Sequence, residues 1–211
     1  MTAAVAGTLA GLAWFAVGLQ YWLLAGRAAD TIAATANFFS YFTVLTNLLV
    51  AFVLTVWLRS SPAGKMRLVA VQSATAVYIA LVGIVYAAVL RRLWNPTGLQ
   101  AVADVLLHDV VPASYIVYWL AFVEKGTLRL SMVGRWLAYP LLFLAYSLGR
   151  GAVTGWYPYP FFDATHLGYV HVLLNAAALV ALFVALGSVF VAADRVLGAR
   201  RRRHLQFSAA H

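Results

Sequence analysis

Of the 211 residues, 64% are hydrophobic and 10% charged, against roughly half and a quarter in ordinary soluble domains. A water-soluble globular domain is therefore excluded, and the bilayer is the expected solvent. The absence of cysteine excludes disulfides, zinc–thiolate sites, iron–sulfur clusters and a cysteine nucleophile.

The first apolar run, Ala3–Ala25, has no basic segment before it and is longer than a signal-peptide core, so it reads as a retained helix. The second, Phe38–Leu58, brings Asn37, Ser40, Thr43, Thr46 and Asn47. Ser40, Thr43 and Asn47 recur at three- and four-residue steps, which predicts one helical face. A small, basic turn at Ser60–Met66 leads to the third run, Leu68–Leu90, whose first half holds Gln72, Ser73 and Thr75. The fourth, Ala101–Val123, carries Asp104, His108, Asp109 and Ser114. Asp104 lies one turn before His108, where it could fix the imidazole tautomer; as a helix-start carboxylate it could equally sit at the membrane interface. Pro112 has no N–H for the carbonyl of His108, so a kink and a freed carbonyl are expected there.

A second basic turn, Lys125–Arg135, precedes a shorter run, Gly134–Leu148. The segment from Arg150 to Gly168 packs Trp156, Tyr157, Tyr159, Phe161 and Phe162 among Pro158, Pro160 and Asp163. Proline fixes φ and removes donors, so this stretch is expected to form an ordered non-helical cap, with an interfacial aromatic belt as its plainest role. Arg150 and Asp163 flank it, either paired to hold it down or placed to bind an anionic head. The last run, Leu167–Ala193, holds His171 and Asn175 four residues apart, expected to be hydrogen-bonding support.

About twenty apolar residues cross the hydrocarbon, so an all-α, polytopic transmembrane bundle of about six spans is expected, as a single domain over residues 1–211 with a basic cytoplasmic tail from 195 to 211. With six spans, eleven Lys and Arg fall on one side: Arg59, Lys65, Arg67, Lys125, Arg129, Arg135, Arg195 and Arg200–Arg203. Four fall on the other: Arg27, Arg91, Arg92 and Arg150. The positive-inside rule then puts both termini in the cytoplasm. The formal charge of +9 is thereby a topology signal that also meets anionic lipid headgroups, and no nucleic-acid partner is expected.

Polar groups within spans mark sites or pathways. Counting helical rise from the expected helix starts puts Thr43 and His108 at one level, roughly 10 Å below the outer surface. A lone membrane threonine usually bonds the carbonyl one turn back, so the pairing of levels is what singles it out.

The stretch Phe38-Phe39-Ser40-Tyr41-Phe42-Thr43-Val44-Leu45-Thr46-Asn47, the His108 region with Pro112, and Arg150-Gly151 followed by Gly155-Trp156-Tyr157-Pro158-Tyr159-Pro160-Phe161-Phe162-Asp163 and Gly168-Tyr169 resemble the androgen-induced family of membrane hydrolases, especially its bacterial branch. The resemblance runs from about Gln20 to Asn175. It implies a multi-span threonine hydrolase of the bacterial inner membrane that cleaves fatty acid esters of hydroxy fatty acids or similar lipids. Thr43 matches the family's nucleophile by its aromatic-aromatic-Thr context, and His108 matches its histidine. Arg-Gly, the doubled Tyr-Pro and Asp109 after His108 depart from the eukaryotic pattern.

The expected chemistry is lipid-ester hydrolysis near the extracytoplasmic face, with Thr43 as nucleophile and His108 as base. No cofactor or metal is expected, and the partners are a lipid ester substrate and membrane lipids. Ser40, Asn47, Asp104, Arg150, Tyr157, Tyr159, Asp163, His171 and Asn175 are the supporting or substrate-binding candidates, with Asn47, Ser40 or a donor in the cap for the oxyanion. Two other classes compete: a metal-dependent hydrolase using His108, His171 and a carboxylate from Asp104, Asp109 or Asp163, and a non-enzymatic lipid-binding or transport protein.

Overall fold

The computed structural model describes residues 1–209, with side chains through Arg203. Its helices are α1 (Thr2–Ala25), α2 (Thr31–Phe38), α3 (Phe42–Arg59), α4 (Pro62–Arg67), α5 (Val69–Val85), α6 (Leu99–Val105), α7 (Val111–Phe122), α8 (Leu130–Trp136), α9 (Ala138–Thr154) and α10 (Ala164–Ala209). One π turn, Tyr86–Leu90, extends α5, and another, Leu106–Val110, joins α6 to α7. No strand occurs among the described residues. The 195–211 tail is thus helical through Ala209, and its last two residues lie outside the described residues.

Five helices are long and apolar enough to cross a membrane: Thr2–Ala25, Phe42–Arg59, Val69–Leu90, Leu99–Phe122 and Ala164–Arg203. Large side chains such as Leu142, Val170 and Leu174 stand exposed on the bundle's outside, a surface suited to acyl chains and not to water. The chain is an all-α polytopic membrane bundle. The shorter run expected at Gly134–Leu148 is divided between the end of α8 and α9, and α9 has 17 residues, about 25 Å of helix.

The centre is α5, 61% of whose most apolar window is buried. A stripe of Ala6, Ala10, Ala13 and Ala16 lets α1 lie close against α3, the small-residue packing that lipid-immersed helices favour. The polar residues in the first half of α5 answer one another and α7: Gln72 Nε2 donates to the Tyr118 hydroxyl at 3.1 Å, and Trp119 Nε1 donates to Ser73 Oγ at 2.9 Å. These bonds commit the groups to the packing of α5 against α7.

Contacts set the directions of the helices. Trp14 reaches Thr55, Gln72 reaches Tyr118, and the Leu128 amide donates to Asp194 at 2.9 Å. The start of α1 and the charged turn of α10 therefore share one end with the basic loops, and Arg27, Arg91 and Arg150 belong to the other.

At the basic end the loop after α7 is locked onto α10. A Cβ at Gly198 would lie 2.5 Å from Gly126 Cα, so only glycine permits that approach. Lys125 turns back to donate to the carbonyls of Trp119 and Val123. Burial pushes its amine down to about 8, with Asp194 opposing and Arg201 adding to the shift. A lysine with a lowered folded pKa costs stability below that value, and the cost is relieved as pH rises toward the unfolded value of about 10.4. The thermal midpoint of the wild type is expected to rise relative to Lys125→Met between about pH 8 and pH 10; parallel profiles for the two proteins would refute this.

Candidate active site

The helical run expected from Phe38 is broken. Ser40 N–H donates to the Asn37 carbonyl and Tyr41 N–H to that of Phe38, making a turn. Then α3 begins at Phe42 after an extended Tyr41 (φ −93°, ψ 127°) that supplies no side-chain cap. Ser40 therefore sits in the turn and does not share a helical face with Thr43. Its hydroxyl lies 2.6 Å from the Ala36 carbonyl and 2.7 Å from the Tyr146 hydroxyl, which ties the turn to α9.

The break changes what Thr43 is. It is the second residue of a helix, where amides have no intrahelical acceptor and the helix end carries partial positive charge. Counting depth by rise from Phe38 does not apply to it. Its N–H donates to the Tyr159 hydroxyl at 3.3 Å, and its own Oγ1 lies 3.5 Å from that oxygen. Burial pushes the Tyr159 phenol up to about 12, against the Thr43 hydrogen bonds that lower it, so it keeps its proton. The oxyanion candidates change accordingly. Both Asn47 amide hydrogens are committed, to the Thr43 carbonyl at 2.9 Å and the Leu107 carbonyl at 3.1 Å, so Asn47 braces. The first-turn amides of α3 lack intrahelical acceptors, and that of Thr43 is held by an exchangeable hydroxyl, the one on Tyr159.

The second bond of Asn47 follows from the proline. In the π turn the Val111 N–H donates to the Leu106 carbonyl, five residues back. In that register the Leu107 carbonyl would need the N–H of residue 112, which is Pro112. The carbonyl left for a side chain to take is thus that of Leu107, where a simple kink frees that of His108. Asn47 takes it and so pins α3 to the turn that carries His108. Asn47 Oδ1 itself is buried without a partner.

His108 is held on three sides. Its Nδ1 lies 2.9 Å from the Asp104 carbonyl and 3.2 Å from the Asp104 carboxylate, which makes Nδ1 the protonated nitrogen and leaves Nε2 as the acceptor. Asp104 is buried, not interfacial, and also accepts from the Tyr86 hydroxyl. The Tyr86 ring stacks on the imidazole with centroids 3.8 Å apart at 15°. Tyr86 belongs to the other π turn, so two helices with π turns meet at His108. Between exposed side chains of those helices, Arg91 pairs with Asp109.

Thr43 and His108 line one cavity of about 560 Å³, with Tyr86, Asp104 and Tyr159 beside them and Gln20, Arg27, Trp94 and Gln100 farther out. Gln100 connects that region, donating to Gln20 at 2.7 Å and accepting from Arg27 at 3.4 Å. Among the described residues Thr43 and His108 make no direct hydrogen bond, so a water or the substrate must close the gap in any proton transfer between them.

The remaining candidates support the walls. Arg150 donates to Asn37 Oδ1 at 2.6 Å and its guanidinium lies 4.3 Å from the Trp156 ring centre; it makes no ion pair with Asp163 and lines no cavity described here. Asp163 instead caps α10, accepting from the Thr165 N–H at 2.9 Å and the Thr165 hydroxyl at 2.5 Å. Those bonds hold its carboxyl below the usual range. The cap is shorter than expected, because α9 continues to Thr154 and ends at left-handed Gly155 (φ 70°). Tyr157 fills the space over Gly151, which has no room for a side chain. Asn175 donates to the Phe161 carbonyl at 3.0 Å. His171 is exposed and bonds the Leu167 carbonyl at 3.0 Å; it is not brought to His108. Among the described residues no three His, Asp or Glu side chains gather.

Two features escaped the sequence. Tyr86 sits in a run with no polar neighbour to flag it, and the start of α3 falls inside the run from Phe38 without Pro, Gly or a capping box to mark it. Asn47→Leu leaves the Leu107 carbonyl buried and unpaired, so it is expected to destabilise by about 1–3 kcal/mol. A thermal midpoint in detergent no lower than wild type would show that this brace carries nothing.

Comparison with models of protein families, with curated proteins and with solved structures finds no match to this chain.

Proposed function

We propose that the protein is an intramembrane lipid-ester hydrolase that acts through Thr43 and His108. The observation that carries the reading is a threonine on the first turn of a helix sharing one cavity with an imidazole whose Nδ1 is tied to Asp104 and whose Nε2 is free. Nucleophile, oriented base and helix-start amides whose bond to Tyr159 a substrate carbonyl could replace are the three parts that acyl transfer needs. The family resemblance points to the same two residues.

In this mechanism Nε2 of His108 takes the Thr43 hydroxyl proton, directly once substrate is bound or through one water. Oγ1 attacks the ester carbonyl, and the negative charge on the carbonyl oxygen falls to the first-turn amides and the positive end of α3. His108 passes the proton to the leaving alkoxide as the C–O bond breaks, which leaves an acyl-threonine. Water then enters the polar cavity, gives a proton to His108 and attacks the acyl carbon; His108 returns that proton to Thr43 Oγ1 as the acyl C–O bond breaks, which releases the acid and restores both residues. Asp104 and Tyr86 hold the ring and stabilise its charged form.

The basic end of the bundle fits the cytoplasmic face under the positive-inside rule, which puts both termini inside and the Thr43 cavity toward the outer face of a bacterial inner membrane. A lipid whose ester lies just below the headgroups reaches that level by lateral diffusion. Fatty acid esters of hydroxy fatty acids are the substrate class the resemblance suggests.

A fluorophosphonate probe tests the reading. Wild-type protein and Thr43→Ser are expected to be labelled and to cleave a lipid ester, Thr43→Ala to lose both, and His108→Ala to lose about a hundredfold to ten-thousandfold in rate. Undiminished labelling of Thr43→Ala sinks the nucleophile. Cleavage that persists in that variant and disappears on chelation would favour the metal route.

A further inference from the structure

A second, smaller cavity of about 80 Å³ adjoins the first beside Thr43. The two share Thr43, Leu90 and Tyr159 and no other residue. Apart from the Thr43 and Tyr159 hydroxyls, every side chain on the wall of the second is hydrocarbon or aromatic, including Val82, Leu141, Phe143, Ala176 and Val180.

Contacts give its direction. Phe42, beside Thr43, stacks on Tyr139 at 5.0 Å; Tyr139 packs on Tyr78 at 4.8 Å, and Tyr78 stacks on Phe183 at 5.8 Å. Phe183 therefore lies on the far side of the cavity from Thr43, away from the loop end of the bundle. Along α10 the wall runs from Ala176 to Phe183, about 10 Å of helix.

We propose that this cavity is the acyl-chain site and takes an unbranched aliphatic chain, with Ala176 and Phe183 limiting its length. The assignment rests on the hydrolase reading for the role of Thr43, and the chemistry decides which arm of the ester goes where. The leaving alcohol must depart on the side of His108, which protonates it. The water that ends the cycle must arrive on the same side. Both events belong to the polar cavity, so the arm that stays bound between the two half-reactions occupies the dry one. Its small volume and hydrocarbon and aromatic wall suit a methylene chain and not a hydrated head. An apolar chain is also the ligand a bilayer supplies, and transfer between lipid and a dry slot involves no polar desolvation.

The test uses Thr43→Val protein in phosphatidylcholine nanodiscs and a decanoic acid analogue with a diazirine at its chain end. After irradiation, the label is expected on peptides containing Phe183 or Leu137 and is expected to be competed by excess decanoic acid. Ala176→Phe, which fills the near end of the slot, is expected to lower this labelling about tenfold. Phe183→Leu is expected to move the label deeper and to favour a longer analogue. Label spread over lipid-facing positions such as Val170 and Leu174, or unchanged labelling in a well-folded Ala176→Phe, overturns the proposal. If Ala176→Phe fails to fold, Val180→Phe, one turn deeper, gives the same reading. Because the Thr43→Val background has no nucleophile, labelling reports the cavity alone, and failure of the hydrolase chemistry would show only with the fluorophosphonate probe.

Discussion

A helix that begins inside an apolar bundle leaves its first amides without acceptors, and in lipid no water is at hand to take them. The start of α3 at Phe42 is that situation, and much of the surrounding structure is a response to it. The aromatic cap brings the Tyr159 hydroxyl over the exposed helix end, where it accepts from Thr43. Under the hydrolase reading, a substrate carbonyl would take the place of that oxygen. Rings pack around Tyr159 on several sides: Phe161 stacks at 5.1 Å, and Tyr41 and Phe162 meet its edges or face at 5.9 and 6.2 Å. The cap is therefore rigid where the amides need covering, and its prolines leave few amides of its own to satisfy.

The fourth span solves a related problem by another route. Pro112 deprives the helix of one donor, the register widens into a π turn, and Asn47 from α3 takes the carbonyl left over. One asparagine thus bonds both the Thr43 carbonyl and the residue next to His108, so the spacing of hydroxyl and imidazole is set through backbone and not through flexible side chains. Rigid backing of this kind is what positions reacting groups within the narrow tolerances catalysis demands. The π turn at Tyr86 acts in concert, since its ring supports the face of the imidazole while its hydroxyl reaches Asp104.

The bundle itself was legible because apolar runs of bilayer length leave little choice of solvent: the five long runs recur as spanning helices, though in Phe38–Leu58 the span proper starts at Phe42 and the helix expected to end at Ala193 continues through Arg203. Asp104 was legible beside His108 because four-residue spacing puts side chains on one face even as the helix widens. The start of α3 was not legible. Phe38 to Phe42 contains no breaker, and the turn there depends on Ser40 bonding Tyr146 and on the cap folding over it, contacts between residues more than a hundred positions apart. The Arg150–Asp163 pairing failed for a local reason. A carboxylate two and three residues ahead of free helix amides is satisfied by them first, and the guanidinium then turns to Asn37 and Trp156.

The distribution of committed and uncommitted polar groups separates two kinds of work within one bundle. Gln72, Ser73, Thr75, Tyr115, Tyr118 and Trp119 bond one another or nearby carbonyls, so they add specificity to the packing of α5 against α7 without offering anything to a ligand. At the other end of the bundle, Thr43 and His108 line a cavity large enough for a small molecule, and Thr43 also lines a smaller apolar one. A polar group left uncommitted in a membrane interior raises the energy of the folded chain. Under the hydrolase reading, Nε2 of His108 stays without a protein partner because its partner is transient, the proton that passes between Thr43, the leaving alcohol and water.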